Sequence, residues 1–353
     1  MCDMGIICIG CITAPIYHSN TNEQVFYIAN QSDSVFVFVE DQEQLDKILA
    51  IWDRLPNIKK IIVLDQYHPP NLPNVYPLDQ FLELGREYGK KHPEQFEELI
   101  ETSQPDEVIS FTYTSGTTGN PKAAIFTSRN IIASSKHLPD ATGLNSEDLY
   151  VSYLPLAHIA ERLIGHFLRF LVGNPTVFAE SMEDMPQNIR QTGPTVVFGT
   201  PRVWEKFYSK ILTGIDDATW IQQKIYHWAI HIGKTICEIK EAGEKPSLWL
   251  QMKAALAKFF IMDKIKDIFG GRIRYMLTGA APISKEILHF FYWVGLQVFE
   301  GYGMTETSGI ITIQTDGNEK IGSVVGIRQV GNNDEILVIS SDGKIIRMNT
   351  GEI

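Results

Sequence analysis

Thr112-Tyr113-Thr114-Ser115-Gly116-Thr117-Thr118-Gly119-Asn120-Pro121-Lys122 constrains this chain more than any other stretch. It follows Val108-Ile109-Ser110-Phe111, a β-branched and aromatic run that reads as a strand. Two glycines, four threonines and a serine leave many hydroxyls and open backbone N–H groups. N–H groups turned to one side form a concave donor surface for an anion, and Lys122 adds a compact positive charge of the kind found beside polyphosphates. Asn120 and Pro121 separate Gly119 from Lys122, so the Gly-Lys-Ser/Thr adjacency of a Walker P-loop is absent. A plain Ser/Thr/Gly connector is the alternative. The ordered run favours a nucleotide-phosphate loop, set at a strand end and followed by a helix beginning at Asn130 to Lys136.

The flanking chain alternates strand and helix signals. The apolar opening, Met4 to Pro15, reads as the end of a buried helix running into a strand at Ile12 to Tyr17. It lacks a basic n-region and is too short to span a bilayer; such a start inside a core implies residues before Met1. Asn20 to Glu23 supplies N-cap chemistry for a helix through Ala29. Ser34 to Val39 reads as a strand buried on both faces, Gln42 to Arg54 as a helix, and Lys59 to Asp65 as a further strand. This order implies parallel pairing with helices over the faces. A Pro/Asn-rich loop spans His68 to Pro77, and a charged helical hairpin from Phe81 to Glu101, broken at Pro93, reads as an exposed insertion. Downstream come a strand, turn and helix over 148–162, strands at Thr176–Phe178 and Thr195–Gly199, and a long helical stretch from Trp220 to Phe269. Strands at Arg272–Leu277 and Gln297–Glu300 then flank a helix near Lys285 to Val294. Ligands of open parallel sheets sit at the carboxyl ends of the strands. Glycine-bearing loops at Gly116, Gly279 and Gly301 are therefore expected to converge on one crevice.

Composition narrows the functional classes. With 353 residues, 44% of them hydrophobic, the chain can bury one large α/β domain or two smaller ones. A net charge of -11 argues against an extended nucleic-acid interface but leaves a local phosphate site open. Four cysteines are too few for a disulfide framework and fit a reducing, cytoplasmic setting. Cys8-x-x-Cys11 and the His227/His231 pair could hint at metal, but both read better as packing residues.

The run from Tyr113 to Lys122 resembles the signature loop of the AMP-forming acyl-CoA synthetase, or adenylating-enzyme, superfamily, departing where Ala123-Ala124 replaces the family's usual glycine. Gly301-Tyr302-Gly303-Met304-Thr305-Glu306-Thr307 resembles the family's adenine and metal motif. Thr278-Gly279-Ala280-Ala281-Pro282-Ile283 is similar to its small-residue loop against the other adenine face. The three stand in the family's order. The resemblance implies that Thr114, Ser115, Gly116, Thr117, Thr118 and Gly119 wrap the phosphates beside Lys122. Gly279, Ala280, Ala281, Gly301, Tyr302 and Gly303 would hold the adenosine part, with Tyr302 stacking on the purine. Glu306, a hard oxygen ligand, would position Mg²⁺ and the α-phosphate with Thr114 or Thr305.

Two further segments resemble the long-chain branch. Leu154-Pro155-Leu156-Ala157-His158-Ile159-Ala160-Glu161-Arg162 places His158 near the family's carboxylate pocket, against the alternative of a structural histidine; Glu161 and Arg162 read as a local ion pair. Gly199-Thr200-Pro201-Arg202-Val203-Trp204 places Trp204 where the branch has a tryptophan gating its fatty-acyl tunnel; the alternative is a core plug. Met252, Ala255, Leu256, Phe259, Phe260 and Ile265 recur at helical spacing with interleaved lysines. That stripe reads as core-facing, the alternative being a surface helix in peripheral contact with a membrane.

The implied fold is α/β: the large N-terminal domain of the adenylating-enzyme fold, with two doubly wound, mostly parallel sheet subdomains meeting near residue 200 and helices on both faces. It would span 1–321, with 322–353 starting a small β-rich subdomain. Gly351-Glu352-Ile353 resembles the approach to the family's Thr-Gly-Asp ribose motif, which, with the C-terminal lid, is not in the sequence. The implied activity is that of a long-chain fatty acid–CoA ligase using ATP, Mg²⁺ and coenzyme A. The alternatives are a nucleotide-binding remnant without turnover and a ligase for another carboxylic acid.

Overall fold

A computed structural model describes residues 1–65, 72–114 and 120–313, except the side chain of His137, and the backbone of the strands Glu335–Ile339 and Ile345–Asn349. The chain divides into two units, Met1–Gly317 and Asn318–Ile353.

The first helix, α1 (Cys2–Cys8), forms without burying any of its residues, and the strand expected after it is reduced to one parallel bridge between Thr13 and Ser110. A capping box starts α2 (Asn22–Gln31): the Gln24 amide donates to the Thr21 hydroxyl at 3.4 Å, and the Thr21 amide donates to the Gln24 side chain at 2.9 Å. Then come β1 (Phe36–Val39), α3 (Gln42–Ala50), β2 (Lys60–Val63) and β3 (Val75–Pro77), the strands forming a parallel sheet in the order β1-β2-β3. Val25 and Ala29 of α2 and Leu45 and Ile48 of α3 pack on Val39, Ile61 and Val63. Two expectations are corrected. Phe36 is exposed because β1 is a sheet edge, and the stretch read as a loop up to Pro77 ends in a third strand. The charged hairpin is α4 (Leu78–Lys91) and α5 (Gln95–Thr102), neither with a buried residue.

β4 (Val108–Thr114) and β5 (Lys122–Thr127) form an antiparallel hairpin in which Thr114 stands opposite Lys122. The signature stretch therefore begins in one strand and ends in its antiparallel partner, because Ala123 to Thr127 can pair with β4 before any helix starts. Helix α6 (Ser128–Thr142) begins immediately afterwards at a second capping box, Thr127 with Asn130.

The remaining strands are β6 (Tyr150–Ser152), β7 (Thr176–Phe178), β8 (Val196–Gly199), β9 (Tyr275–Thr278), β10 (Val298–Met304) and β11 (Gly309–Ile313). They form one sheet in the order β7-β6-β8-β9-β10-β11, parallel except for β11. A π-helical segment, Glu161–Phe167, runs into α7 (Leu168–Val172). Ile164 and Leu168 pack with Leu138 of α6 against Tyr150, Val196, Phe198, Tyr275 and Leu277 on one face. Val197 and Met276 alternate to the other face. After α8 (Met185–Thr192), helices α9 (Pro201–Asp216), α10 (Trp220–Glu241), α11 (Leu248–Ala257), α12 (Asp263–Asp267) and α13 (Lys285–Trp293) complete this unit. β8 and β9, on either side of residue 200, are neighbours in this one sheet.

Two details depart from the sequence reading. Gly301-Tyr302-Gly303 lies inside β10, paired with β11, rather than in a loop beyond it. The stripe read as core-facing is mostly bare: Met252, Ala255, Leu256, Phe259 and Phe260 are exposed, and only Ile265 among them is buried. No helix among the described residues is long and apolar enough to cross a membrane. In the second unit, Glu335–Ile339 pairs antiparallel with Ile345–Asn349.

Candidate active site

The strand order fixes where a ligand can sit. From β6 the chain crosses to β7 on one side and then returns to build β8, β9 and β10 on the other. The connections leaving β6 and β8 therefore diverge, and a crevice opens between their carboxyl ends. The residues after β6 lead to His158; those after β8 lead to Trp204. The Tyr153 hydroxyl ties the two exits together by donating to the Phe198 carbonyl at 3.0 Å.

A cavity of about 60 Å³ lies at this edge. His158, Ala160 and Leu163 line one side, Phe198 and Thr278 the strand ends, and Gly279, Ala280, Gly301 and Gly303 the rest. Gly279 and Gly301 approach backbone to backbone: a methyl on Gly279 would come 2.9 Å from the Gly301 carbonyl oxygen. Ala280 adopts φ of +70°, a left-handed conformation that side chains resist. The Thr278 hydroxyl is buried there without a protein partner among the described residues. Tyr302 alternates away from the cavity-lining glycines and is half-buried opposite Thr312 of β11.

His158 is held as a neutral ring. The Ala160 amide donates to its Nδ1 at 3.2 Å, leaving the ring proton on Nε2, and burial pulls its pKa below the ordinary 6.5. The neighbouring Glu161 and Arg162 do not pair with each other as their adjacency suggests. Arg162, fully buried, donates to Asp3 at 2.8 Å and to the Thr13 hydroxyl. Glu161 turns inward and accepts from the Tyr150 hydroxyl at 3.2 Å. Burial pushes its carboxyl up to about 7, against the Ser152 and Tyr150 hydroxyls and the Leu154 amide, which hold it down. Successive residues of a helix point in different directions around its axis, so one faces the sheet while the other reaches α1.

Trp204 is fully buried in the first turn of α9. Its indole N–H donates to the Gly199 carbonyl at 3.0 Å, and its ring lies among Phe207, Phe269 and Phe291 at 6.2–6.5 Å between centroids. Beyond this aromatic wall a groove of about 860 Å³ is lined by Phe207, Ile211, Ile265 and Ile268, with Arg190, Lys210 and Lys264 among its cations.

Thr114 and Lys122 bracket the signature loop; Ser115, Gly116, Thr117, Thr118 and Gly119 lie outside the described residues. Lys122 is exposed, and the Thr114 hydroxyl donates to its carbonyl at 3.5 Å. β5 packs beside the short helical turn Thr305–Thr307, so the lysine strand and the Glu306 turn are neighbours. Thr305 is half-buried and Glu306 exposed; Ala281, next to Ala280, is exposed as well. Among the described residues no cluster of three or more histidine, cysteine, aspartate or glutamate side chains could hold a metal alone. One open carboxylate with a nearby hydroxyl suits Mg²⁺ instead, which takes few protein ligands and shares substrate phosphate oxygens. The donor set fits. Tyr153 and Phe198 were not given a role by motif, and Thr278 entered only as the first residue of the small-residue loop; their signal is position, as the residues at or just past the ends of buried strands.

The family model for AMP-binding enzymes matches residues 1–353. The chain belongs to the AMP-binding enzyme family. Among curated proteins this family member is 34% identical over 321 residues to the long-chain-fatty-acid–CoA ligase ACSBG2 of Xenopus laevis, covering 88% of this chain and 42% of that protein. It is 31% identical over 315 residues to the long-chain-fatty-acid–CoA ligase ACSBG1 of Homo sapiens, covering 87% and 42%. The chain thus spans less than half the length of these relatives. Among solved structures it resembles the anthranilate CoA ligase AuaEII in complex with anthranoyl-AMP, with a TM-score of 0.63 at 16% identity over 98% of this chain and 54% of that one. ATP-bound MatB from Rhodopseudomonas palustris gives 0.57 at 16% identity, over 96% and 53%. At these identities the likeness carries the fold, an adenylating-enzyme α/β domain.

Proposed function

We propose that this chain is the adenylating part of a long-chain fatty acid–CoA ligase: ATP and a fatty acid give acyl-AMP and pyrophosphate, and coenzyme A then takes the acyl group as a thioester. The observation that carries this reading is the switch-point crevice, lined by His158, Gly279, Ala280, Gly301 and Gly303, with Trp204 in the first turn of the helix that leaves β8. Similarity to long-chain-fatty-acid–CoA ligases supports the substrate class. In domain terms, 1–321 would be the AMP-binding large domain and 322–353 the start of the small β-rich subdomain.

A carboxylate oxygen leaves poorly until phosphorylated, so the work of the site is to neutralise charge gathering at the α-phosphate. Lys122 supplies a positive charge and Ser115 to Gly119 backbone donors. Mg²⁺, when bound through Glu306 with Thr114 or Thr305, would neutralise phosphate charge. Tyr302 and the glycines beside it would hold the adenine, with Gly279, Ala280 and Ala281 against its other face. The neutral His158 can offer Nε2–H to the fatty-acid carboxylate without competing for its proton. Trp204 would separate that carboxylate from the groove along α9, where an acyl tail could lie. A cytoplasmic enzyme in peripheral contact with a membrane suits a lipid substrate.

Fatty-acid-dependent ATP–pyrophosphate exchange, across acids of graded length, tests the reading. Lys122→Ala and Glu306→Ala should each lower exchange by about 10²–10³-fold. ATP binding without exchange in the unaltered chain would instead support a nucleotide-binding piece that does not turn over.

A further inference from the structure

Helix α11 carries straight on into a π-helical segment, Lys258–Met262, so residues 248–262 form one continuous rod. One side packs against α10, with Ala257 fully buried. The other side is bare: Leu248, Trp249 (65% exposed), Met252, Leu256, Phe259 (70% exposed) and Phe260. Steps of three, four and eleven residues bring these side chains onto one face. A helix apolar on all sides ordinarily belongs in an interior. Here half of it lies outside.

The charges on this rod point to what covers it. From Lys245 to Met262 there are three lysines, Lys245, Lys253 and Lys258, and no acidic residue, in a chain whose net charge is -11. The Lys253 ammonium lies 5.2 Å above the Trp249 ring, at the border of the apolar face; Lys258 is bonded to Asp263 at 2.7 Å. Aromatic side chains beside lysines, on an exposed helix face, match the chemistry of a bilayer's headgroup boundary.

We infer that the outer face of residues 248–260 docks on an anionic lipid surface. Trp249, Phe259 and Phe260 enter the boundary between headgroups and acyl chains, while Lys245 and Lys253 meet lipid phosphates. The inference deepens the proposed function and rests on it only for the purpose of docking, which is to bring a fatty-acid site to the phase where fatty acids dissolve. Vesicle binding itself needs no turnover.

The test is co-sedimentation of the chain with vesicles of phosphatidylcholine alone or mixed with phosphatidylserine. The unaltered chain should sediment with the anionic vesicles, less so as salt rises. Phe259→Glu and Trp249→Glu should each weaken binding by about tenfold or more, and Lys253→Gln by about fivefold. All three positions lie outside the crevice, so thermal melting and exchange with a water-soluble short acid should be unchanged. Failure of the unaltered chain to bind either vesicle, or undiminished binding by Phe259→Glu and Lys253→Gln, overturns the inference. So does a concentration-dependent dimer that Phe259→Glu dissolves without any vesicle binding, which assigns the face to a second copy. Exchange measured without vesicles fails or succeeds independently, and so judges the proposed function separately.

Discussion

Glu161 shows what the crevice demands of a single residue. It is fully buried one turn from His158 and accepts a hydrogen bond from Tyr150 on one carboxylate oxygen, while the other has no hydrogen-bond partner among the described residues. Arg169, also buried, stacks 4.8 Å over the same tyrosine ring. Burial lifts the Glu161 carboxyl from 4.5 to about 7, which corresponds to about 3 kcal/mol. The folded chain holds a proton that the unfolded chain releases, so this stabilisation is full below pH 4.5 and is lost as pH rises through 7. Glu161→Gln should therefore match the unaltered chain at pH 4 and exceed its stability at pH 8 by up to about 3 kcal/mol. Urea titrations at both pH values check this, and parallel pH slopes for the two proteins would contradict it. Nothing in the residue order announced this role. Adjacency suggested a Glu161–Arg162 pair, but helical rotation sends the two side chains to different neighbours.

Among the elements, α1 depends on the ion cluster at its first turn. Asp3 meets Arg162 at 2.8 Å and His166 at 3.0 Å, both on the π-helical segment. Burial alone would raise the Asp3 carboxyl, but the His166 hydrogen bond and the Arg162 charge outweigh it and bring it to about 2. Asp3→Asn should cost about 3–5 kcal/mol because it strands a buried guanidinium. The part of the loss that follows the carboxylate's charge, about 2 kcal/mol for a shift from 3.8 to about 2, should be present above pH 3.8 and fade as pH falls through 2, where the unaltered chain gives up its own charge. A denaturation series over pH decides it; a loss below 1 kcal/mol at pH 7 would show the pair to be dispensable. Elements with strong local signals were legible in sequence: the capped α2, the exposed α4–α5 hairpin, and the helical run broken at Gly243 to Pro246. Those set by distant partners were not. β5 needs β4 beside it, β10 extends through its glycines because β11 pairs there, and the outer face of α11 looks like a core stripe until its neighbours are in place.

The whole sheet explains why residues some 120 positions apart, His158 and Gly279, line one cavity. Alternating strands and helices imply a parallel sheet, but its strand order rests on long-range pairing that no local pattern records. The order β7-β6-β8-β9-β10-β11 puts the exits of β6 and β8 side by side, joined by the Tyr153–Phe198 hydrogen bond. The motifs named His158, Gly279, Gly301 and Trp204 individually; only the switch in winding direction explains why they share an edge. Gly199 is the junction, since its carbonyl holds the Trp204 indole and a methyl on it would come 2.6 Å from that ring. Gly199→Ala leaves every motif side chain present and forces the indole to move. Overpacking of this kind costs about 1–3 kcal/mol, so the variant should remain folded with a lowered melting temperature. If Trp204 divides the carboxylate site from the α9 groove, exchange by Gly199→Ala should change most for the longest acids and least for short ones. A uniform change across chain lengths would make Trp204 a structural plug and place the acyl path elsewhere.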